Sequence, residues 1–108
     1  MPDFSLPSLS ATNAVGITGA VWLDMRRPAA RVASGLTIAG AELRDPLDFG
    51  HDDPLTRERG PIIVFCAHGH ELSQFACALL LVHKCNARYV TGGFGALSTA
   101  GAPMAPLS

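Results

Sequence analysis

The sequence predicts a single α/β domain with a mostly parallel central sheet and helices on both of its faces. Short apolar, β-branched runs alternate with segments of helical periodicity along the chain. Those strand runs are continuous and do not alternate with polar residues, the pattern of strands covered on both sides. A length of 108 residues matches one domain and one core. A chain of that size buries roughly 65% of its unfolded surface, enough to hold a core without staples.

The elements follow in order. Residues 1–18 hold no long apolar run and read as a weakly structured, Pro/Ser/Ala/Thr-rich lead-in, leaving 19–104 as the domain. Ala20-Val21-Trp22-Leu23, closed by Asp24, predicts a buried strand. Pro28 opens a short helix through Ala29, Ala30, Arg31 and Val32, and Gly35 stops it. Pro61-Ile62-Ile63-Val64-Phe65, preceded by Gly60, carries the strongest strand signal. Leu72, Phe75, Ala76, Leu79, Leu80 and His83 recur at helical spacing, and Lys84 suits the helix C-terminus. Ala87-Arg88-Tyr89-Val90-Thr91 predicts another strand, followed by Gly92-Gly93 and a short helix over 94–99. The tail 99–108, with Gly101, Pro103 and Pro106, is expected to fray.

Composition narrows the function classes. Apolar residues make up 48% of the chain, charged residues 16%, and the net charge is −1 with both signs mixed. That balance lacks the broad positive field of a nucleic-acid binder or a polybasic membrane binder, so neither partner is expected. The N-terminus has no basic region and does not read as a signal peptide. The longest strongly apolar stretch, 75–82, is too short to span a bilayer. Three cysteines, an odd number without framework spacing, point to reduced thiols and a cytoplasmic setting.

In parallel sheets the ligand crevice opens at the carboxyl ends of the strands. Cys66 stands at such an end, in Phe65-Cys66-Ala67-His68-Gly69-His70-Glu71-Leu72-Ser73. A strand, a short loop and a helix start place a thiol before successive backbone N–H groups and the positive end of a helix dipole. Both favour the thiolate and lower its pKa. Gly69 permits a tight turn and close approach of the backbone to a bound group. The loop residues Ala67, His68, Gly69, His70, Glu71 and Leu72 are therefore candidates to cradle an anion bound at Cys66. A buried, inert cysteine after a core strand is the plainer alternative.

Other residues carry weaker signals. His68 and His70 offer charge or a proton relay near the thiol. Cys66-x-His68-x-His70 also has the form of a metal half-site, but alternate residues on a curved loop diverge and no fourth ligand cluster is evident, so no metal is expected. Cys77 lies three helical turns beyond Cys66, roughly 16 Å at 1.5 Å per residue, out of disulfide reach. Cys77 and Leu81 on the more polar side of that helix mark a candidate contact patch, with Cys85 closing the helix end. Asp24 and Arg26 are read as an ion pair or loop hydrogen bond at a strand end. Arg31 and Arg44 are candidates to bring positive charge to the crevice. A cysteine phosphatase needs an arginine after five intervening residues to clamp a phosphoryl group. That place is Leu72, and no Lys or Arg occurs between Cys66 and Val82.

Several of these segments together resemble the rhodanese-like sulfurtransferases, over roughly 21–103. Trp22-Leu23-Asp24-Met25-Arg26 is similar to the family's early strand ending in Asp-x-Arg. Thr37-Ile38-Ala39-Gly40-Ala41 stands where the family usually has His-Ile-Pro-Gly-Ala. Cys66-x-x-Gly69 matches the active-site loop, and Gly92-Gly93-Phe94 with Gly101-Ala102-Pro103 matches the glycine elements near the end. The loop Cys-x-His-Gly-His-Glu-x-Ser is similar to that of rhodanese-like domains associated with chromate-resistance loci.

The resemblance implies a rhodanese-like domain in which Cys66 is the catalytic nucleophile, with Asp24 and Arg26 as supporting residues. It implies transfer of sulfane sulfur, as a Cys66 persulfide, from thiosulfate or polysulfide to a thiol or cyanide, without a cofactor. A protein partner in a sulfur relay is an open extension. The departures bear on the donor. Many family loops carry an arginine five residues after the cysteine, where this chain has Glu71, and Leu72 follows where serine is common. A carboxylate there opposes an anionic donor and tends to raise the thiol pKa, so weak use of thiosulfate is expected; the equal alternative is a Glu71 that points away and favours the helix N-terminus. A rhodanese-like sensor or binding module without turnover is the alternative in a different class.

Overall fold

The computed structural model describes residues 6–107. Five strands form one fully parallel sheet: β1 (Ser8–Leu9), β2 (Val21–Asp24), β4 (Glu42–Leu43), β5 (Pro61–Phe65) and β6 (Asn86–Val90), in the order β1-β6-β5-β2-β4. Two further strands, β3 (Leu36–Ile38) and β7 (Met104–Pro106), pair antiparallel beside it. Four helices connect the strands: α1 (Ala11–Val15), α2 (Pro28–Ser34), α3 (Glu71–Val82) and α4 (Gly93–Thr99). A 3-10 turn covers Pro54–Arg57. The mostly parallel α/β architecture is thus the one the strand runs predict.

Both faces of β5 are buried, and its side chains divide between two cores. Ile62, Val64 and Cys66 pack with Leu23, Met25 and the inner face of α3, through Ala76, Cys77, Leu79 and Leu80. Ile63 and Phe65 point the other way, into a cluster with Leu9, Ala14, Val90 and Leu97 beneath α1 and α4. This two-sided burial explains the unbroken apolar run, since a period-2 strand buried on both faces has no polar side to show.

Three differences from the sequence reading have physical causes. Within the expected lead-in, β1 adds to the sheet edge with Ser8 opposite Tyr89 and Leu9 opposite Val90. Helix α1 follows, capped by the Ser10 hydroxyl on the Asn13 N–H. Residues 1–5 of that stretch lie outside the described residues. The tail expected to fray instead supplies β7, whose Thr37–Ala105 and Ile38–Met104 pairings tie it to β3. Both gains come from main-chain pairing with distant strands, to which local composition is blind. Cys77, assigned to the polar side of its helix, is fully buried with its Sγ toward the Ala87 carbonyl at 3.6 Å. Leu81 is half-buried against the same core, so Cys77 offers no surface to a contact patch there. Among the described residues no helix is long and apolar enough to cross a membrane.

The register of the sheet sets the site. β2 runs parallel to β5 with Asp24 beside Phe65, and the Met25 N–H donates to the Phe65 carbonyl at 2.8 Å. The segment after β2 and the loop after β5 therefore leave the sheet side by side, at its carboxyl edge.

Candidate active site

Cys66 directly follows β5, and the loop 66–70 delivers the chain into α3. The turn depends on Gly69, which sits at φ +77°. A Cβ there would come within 2.6 Å of the Val90 carbonyl oxygen and 2.7 Å of the Gly92 nitrogen, so glycine is needed for space as well as for conformation. Gly93, at φ +60°, seals the loop from the other side. A Cβ on it would collide with the Cys66 carbonyl oxygen and stand 2.7 Å from the Ala67 carbonyl. The Phe94 N–H then donates to the Cys66 carbonyl at 2.8 Å. The thiol loop is thus clamped by the start of α4.

The Cys66 side chain is almost wholly buried, and its Sγ lies 3.2 Å from the Ser73 Oγ. The Ser73 hydroxyl also reaches the His70 carbonyl at 3.3 Å. Burial works to raise the Cys66 pKa, but the Ser73 hydroxyl and the backbone N–H groups of Ser73, His70 and Gly69 outweigh it. The thiol is held below its ordinary value. Of the two readings of Glu71, the structure has the one at the helix N-terminus: it is exposed in the first turn of α3 and is not among the groups that act on the thiol. The groups that lower the thiol pKa are Gly69 and His70 from the loop and, one residue past Leu72, Ser73.

Asp24 and Arg26 form the expected ion pair, fully enclosed. Arg26 Nη2 lies 2.8 Å from Asp24 Oδ2, with exposures of 2% and 0%. The remaining polar atoms are matched. The Arg26 N–H donates to Asp24 Oδ1 at 3.0 Å, Thr37 Oγ1 donates to Asp24 Oδ2 at 2.8 Å, and Arg26 reaches Ser34 Oγ and the Leu36 carbonyl. The guanidinium carbon sits 3.9 Å from the centroid of the Phe94 ring. Since the Phe94 N–H holds Cys66, the pair braces the thiol loop from behind.

A cleft of about 340 Å³ opens over Cys66, lined by Arg26, Arg27, Ala30, Ala67, His68, His70, Glu71 and Leu72 as well. Every loop residue singled out in the sequence except the buried Gly69 thus faces this cleft. His68 and His70 are exposed, with ring centroids 6.5 Å apart. No group of three or more metal-ligating side chains occurs among the described residues.

The arginines sort differently from expectation. Arg31 turns inward and donates to the Arg26 carbonyl at 2.9 Å and the Arg44 carbonyl at 2.7 Å. Arg44 pairs with Asp53 at 2.8 Å and with Glu42 at 3.2 Å. Neither lines the cleft. The exposed cation at its mouth is Arg27, whose position at the carboxyl end of β2, just before Pro28, was the available signal. Ser73 was the other residue passed over. As the third residue of α3 it lies where a helix-start side chain can turn back toward the strand end.

No protein-family model and no curated protein matches the sequence. Solved structures do match. A rhodanese-related protein from Thermoplasma volcanium is 25% identical, with a TM-score of 0.76 over 92% of this chain and 97% of its own. The rhodanese-like domain of an Anabaena protein is 22% identical, with a TM-score of 0.75 over 94% and 80%. A thiosulfate sulfurtransferase from Pseudomonas aeruginosa is 19% identical, with a TM-score of 0.74 over 94% of this chain but only 20% of that one. A Rhodopseudomonas palustris protein of unknown function, described as a possible tyrosine phosphatase, is 24% identical with a TM-score of 0.71 over 93% and 85%. The chain has the rhodanese-like fold.

Proposed function

We propose that the protein is a sulfurtransferase that carries sulfane sulfur as a persulfide on Cys66. One observation carries the reading: a thiol in the lining of a cleft, at the end of β5 and before the start of α3, with its Sγ 3.2 Å from the Ser73 hydroxyl oxygen. Such a setting favours the attacking thiolate. It equally favours the anionic sulfur that replaces it one bond further out.

With thiosulfate as donor, the Cys66 thiolate attacks the outer sulfur. The new S–S bond forms as the old one breaks, and sulfite leaves with the electron pair. Cyanide then takes the outer sulfur as thiocyanate, or a small or protein thiol takes it as a persulfide, and the Cys66 thiolate returns. Atoms, charge and electrons balance within donor and acceptor, so the cycle calls for no cofactor and follows a ping-pong order. The loop holds no lysine or arginine, and Glu71 and Leu72 stand where such cations would serve a dianion. That composition supports polysulfides and organic persulfides over thiosulfate as donors. It also weighs against phosphoryl transfer, which needs an arginine clamp.

Intact-protein mass spectrometry after incubation with thiosulfate or polysulfide tests the proposal. The expected result is a gain of one sulfur that cyanide removes and that Cys66→Ser abolishes. A chain that gains no sulfur from either donor is not a sulfurtransferase, and the fold then serves as a binding module.

A further inference from the structure

The rim of the Cys66 cleft carries two opposite charges on different elements. Arg27 stands at the N-cap of α2 and Glu71 at the start of α3. Both are exposed, and neither takes part in an ion pair among the described residues. The neighbouring charges are spent elsewhere: Arg26 on Asp24, Arg31 on backbone carbonyls, Arg44 on Asp53 and Glu42. The rest of the lining is Ala30, Ala67 and Leu72, the two imidazoles of His68 and His70, and the ion-paired Arg26. At about 340 Å³ the space falls at the small end of ligand pockets, which span roughly 300–1,000 Å³.

An inorganic dianion gains from Arg27 and loses to Glu71, so this rim does not select it. A molecule with both a carboxylate and an ammonium gains from each. From this complementarity we infer that the cleft selects a zwitterionic amino-acid persulfide, with cysteine persulfide as the simplest case. Its carboxylate meets Arg27, its ammonium meets Glu71, and its outer sulfur reaches Cys66, only a few bonds from both charged groups. The Cys66 thiolate attacks that outer sulfur, which keeps its proton. The Sγ–S bond forms, the donor S–S bond breaks, and the donor leaves as the amino-acid thiolate with the electron pair. The inference rests on the sulfurtransferase reading and assigns Glu71, the departure from the usual loop, to donor choice.

Four donors separate the possibilities: cysteine persulfide, the persulfide of cysteamine (no carboxylate), the persulfide of 3-mercaptopropionate (no ammonium), and inorganic polysulfide. Loading of Cys66 is followed by intact mass against time and donor concentration. Cysteine persulfide is expected to exceed each clipped donor in kcat/KM by about tenfold, the scale of one charge-assisted contact at a partly open site. Glu71→Gln should abolish the preference over the 3-mercaptopropionate persulfide while keeping that over the cysteamine persulfide. Arg27→Gln should do the reverse. Equal loading by all four donors would overturn the inference and leave sulfur transfer standing. Failure of all four, with loading by thiosulfate run alongside, would overturn the inference alone, and failure of thiosulfate as well would remove both.

Discussion

The Ser73 hydroxyl oxygen lies 3.2 Å from the Cys66 sulfur, joining the third residue of α3 to the end of β5 by the one side-chain hydrogen bond to the thiol among the described residues. Ser73→Ala therefore removes the one side-chain hydrogen bond that favours the thiolate. The Cys66 pKa is expected to rise, so that its alkylation by iodoacetamide slows at neutral pH and the pH midpoint of that reaction moves upward. The stability cost should be about 1 kcal/mol, that of one buried hydrogen bond. An unmoved midpoint would leave the backbone N–H groups as the whole cause of the lowered pKa.

Gly93 and Gly95, two residues apart in α4, should respond in opposite senses to alanine. A Cβ on Gly93 meets the Cys66 and Ala67 carbonyls at a φ of +60°, so Gly93→Ala should cost more than about 2 kcal/mol and displace the thiol loop. Gly95 has open space around it and ordinary helical φ. Gly95→Ala should stabilise by about 0.5–1 kcal/mol. Urea unfolding measures both, and equal effects would refute the clamp.

Glu71→Arg reverses the sign of one rim charge. The apparent KM for thiosulfate is expected to fall by about tenfold, equivalent to some 1.4 kcal/mol. Steady-state thiocyanate formation reads it, and an unchanged KM would show that residue 71 does not face the donor.

Arg26→Met leaves the Asp24 carboxylate buried without its partner, an expected loss of about 3–5 kcal/mol. Adding Asp24→Asn should recover part of that loss, because the uncompensated charge is then gone. Denaturant midpoints for the two single variants and the double variant give the coupling. Additive losses would mean that the two residues act independently.

Burial pushes the Cys77 thiol up to about 11. The folded chain thus keeps a proton that the unfolded chain releases near its ordinary value of 9.0. The unfolded state binds fewer protons in that window, so stability falls as pH rises through it. The contribution is negligible below pH about 8 and reaches roughly 2 kcal/mol by pH about 10.5. Cys77→Ala should flatten this alkaline loss relative to the parent chain, as seen in urea midpoints at the two pH values. Parallel pH profiles would show that Cys77 ionises at its ordinary value.

Local sequence alone determined which segments become the central elements and where the thiol enters. The β-branched run over 61–65, Pro28 and Gly35 around a short helix, and the periodicity from Leu72 all act through backbone preference and burial within a few residues. A cysteine at the end of such a strand, followed by Gly69 and a helix, is therefore legible, as is the Asp24–Arg26 pair only two residues apart. Tertiary structure decided what surrounds that thiol. Ser73 reaches Cys66 because Gly69 is pressed against Val90 and Gly92 from another strand and its loop. Arg27 faces the cleft while Arg31 and Arg44 are drawn off by carbonyls and carboxylates that the folded chain brings to them from two to thirteen residues away. The terminal strands β1 and β7 likewise exist only through partners more than sixty residues away. Neighbouring residues set a backbone conformation, whereas a side chain's direction and an edge strand's pairing follow from donors and acceptors that only the folded chain brings within reach.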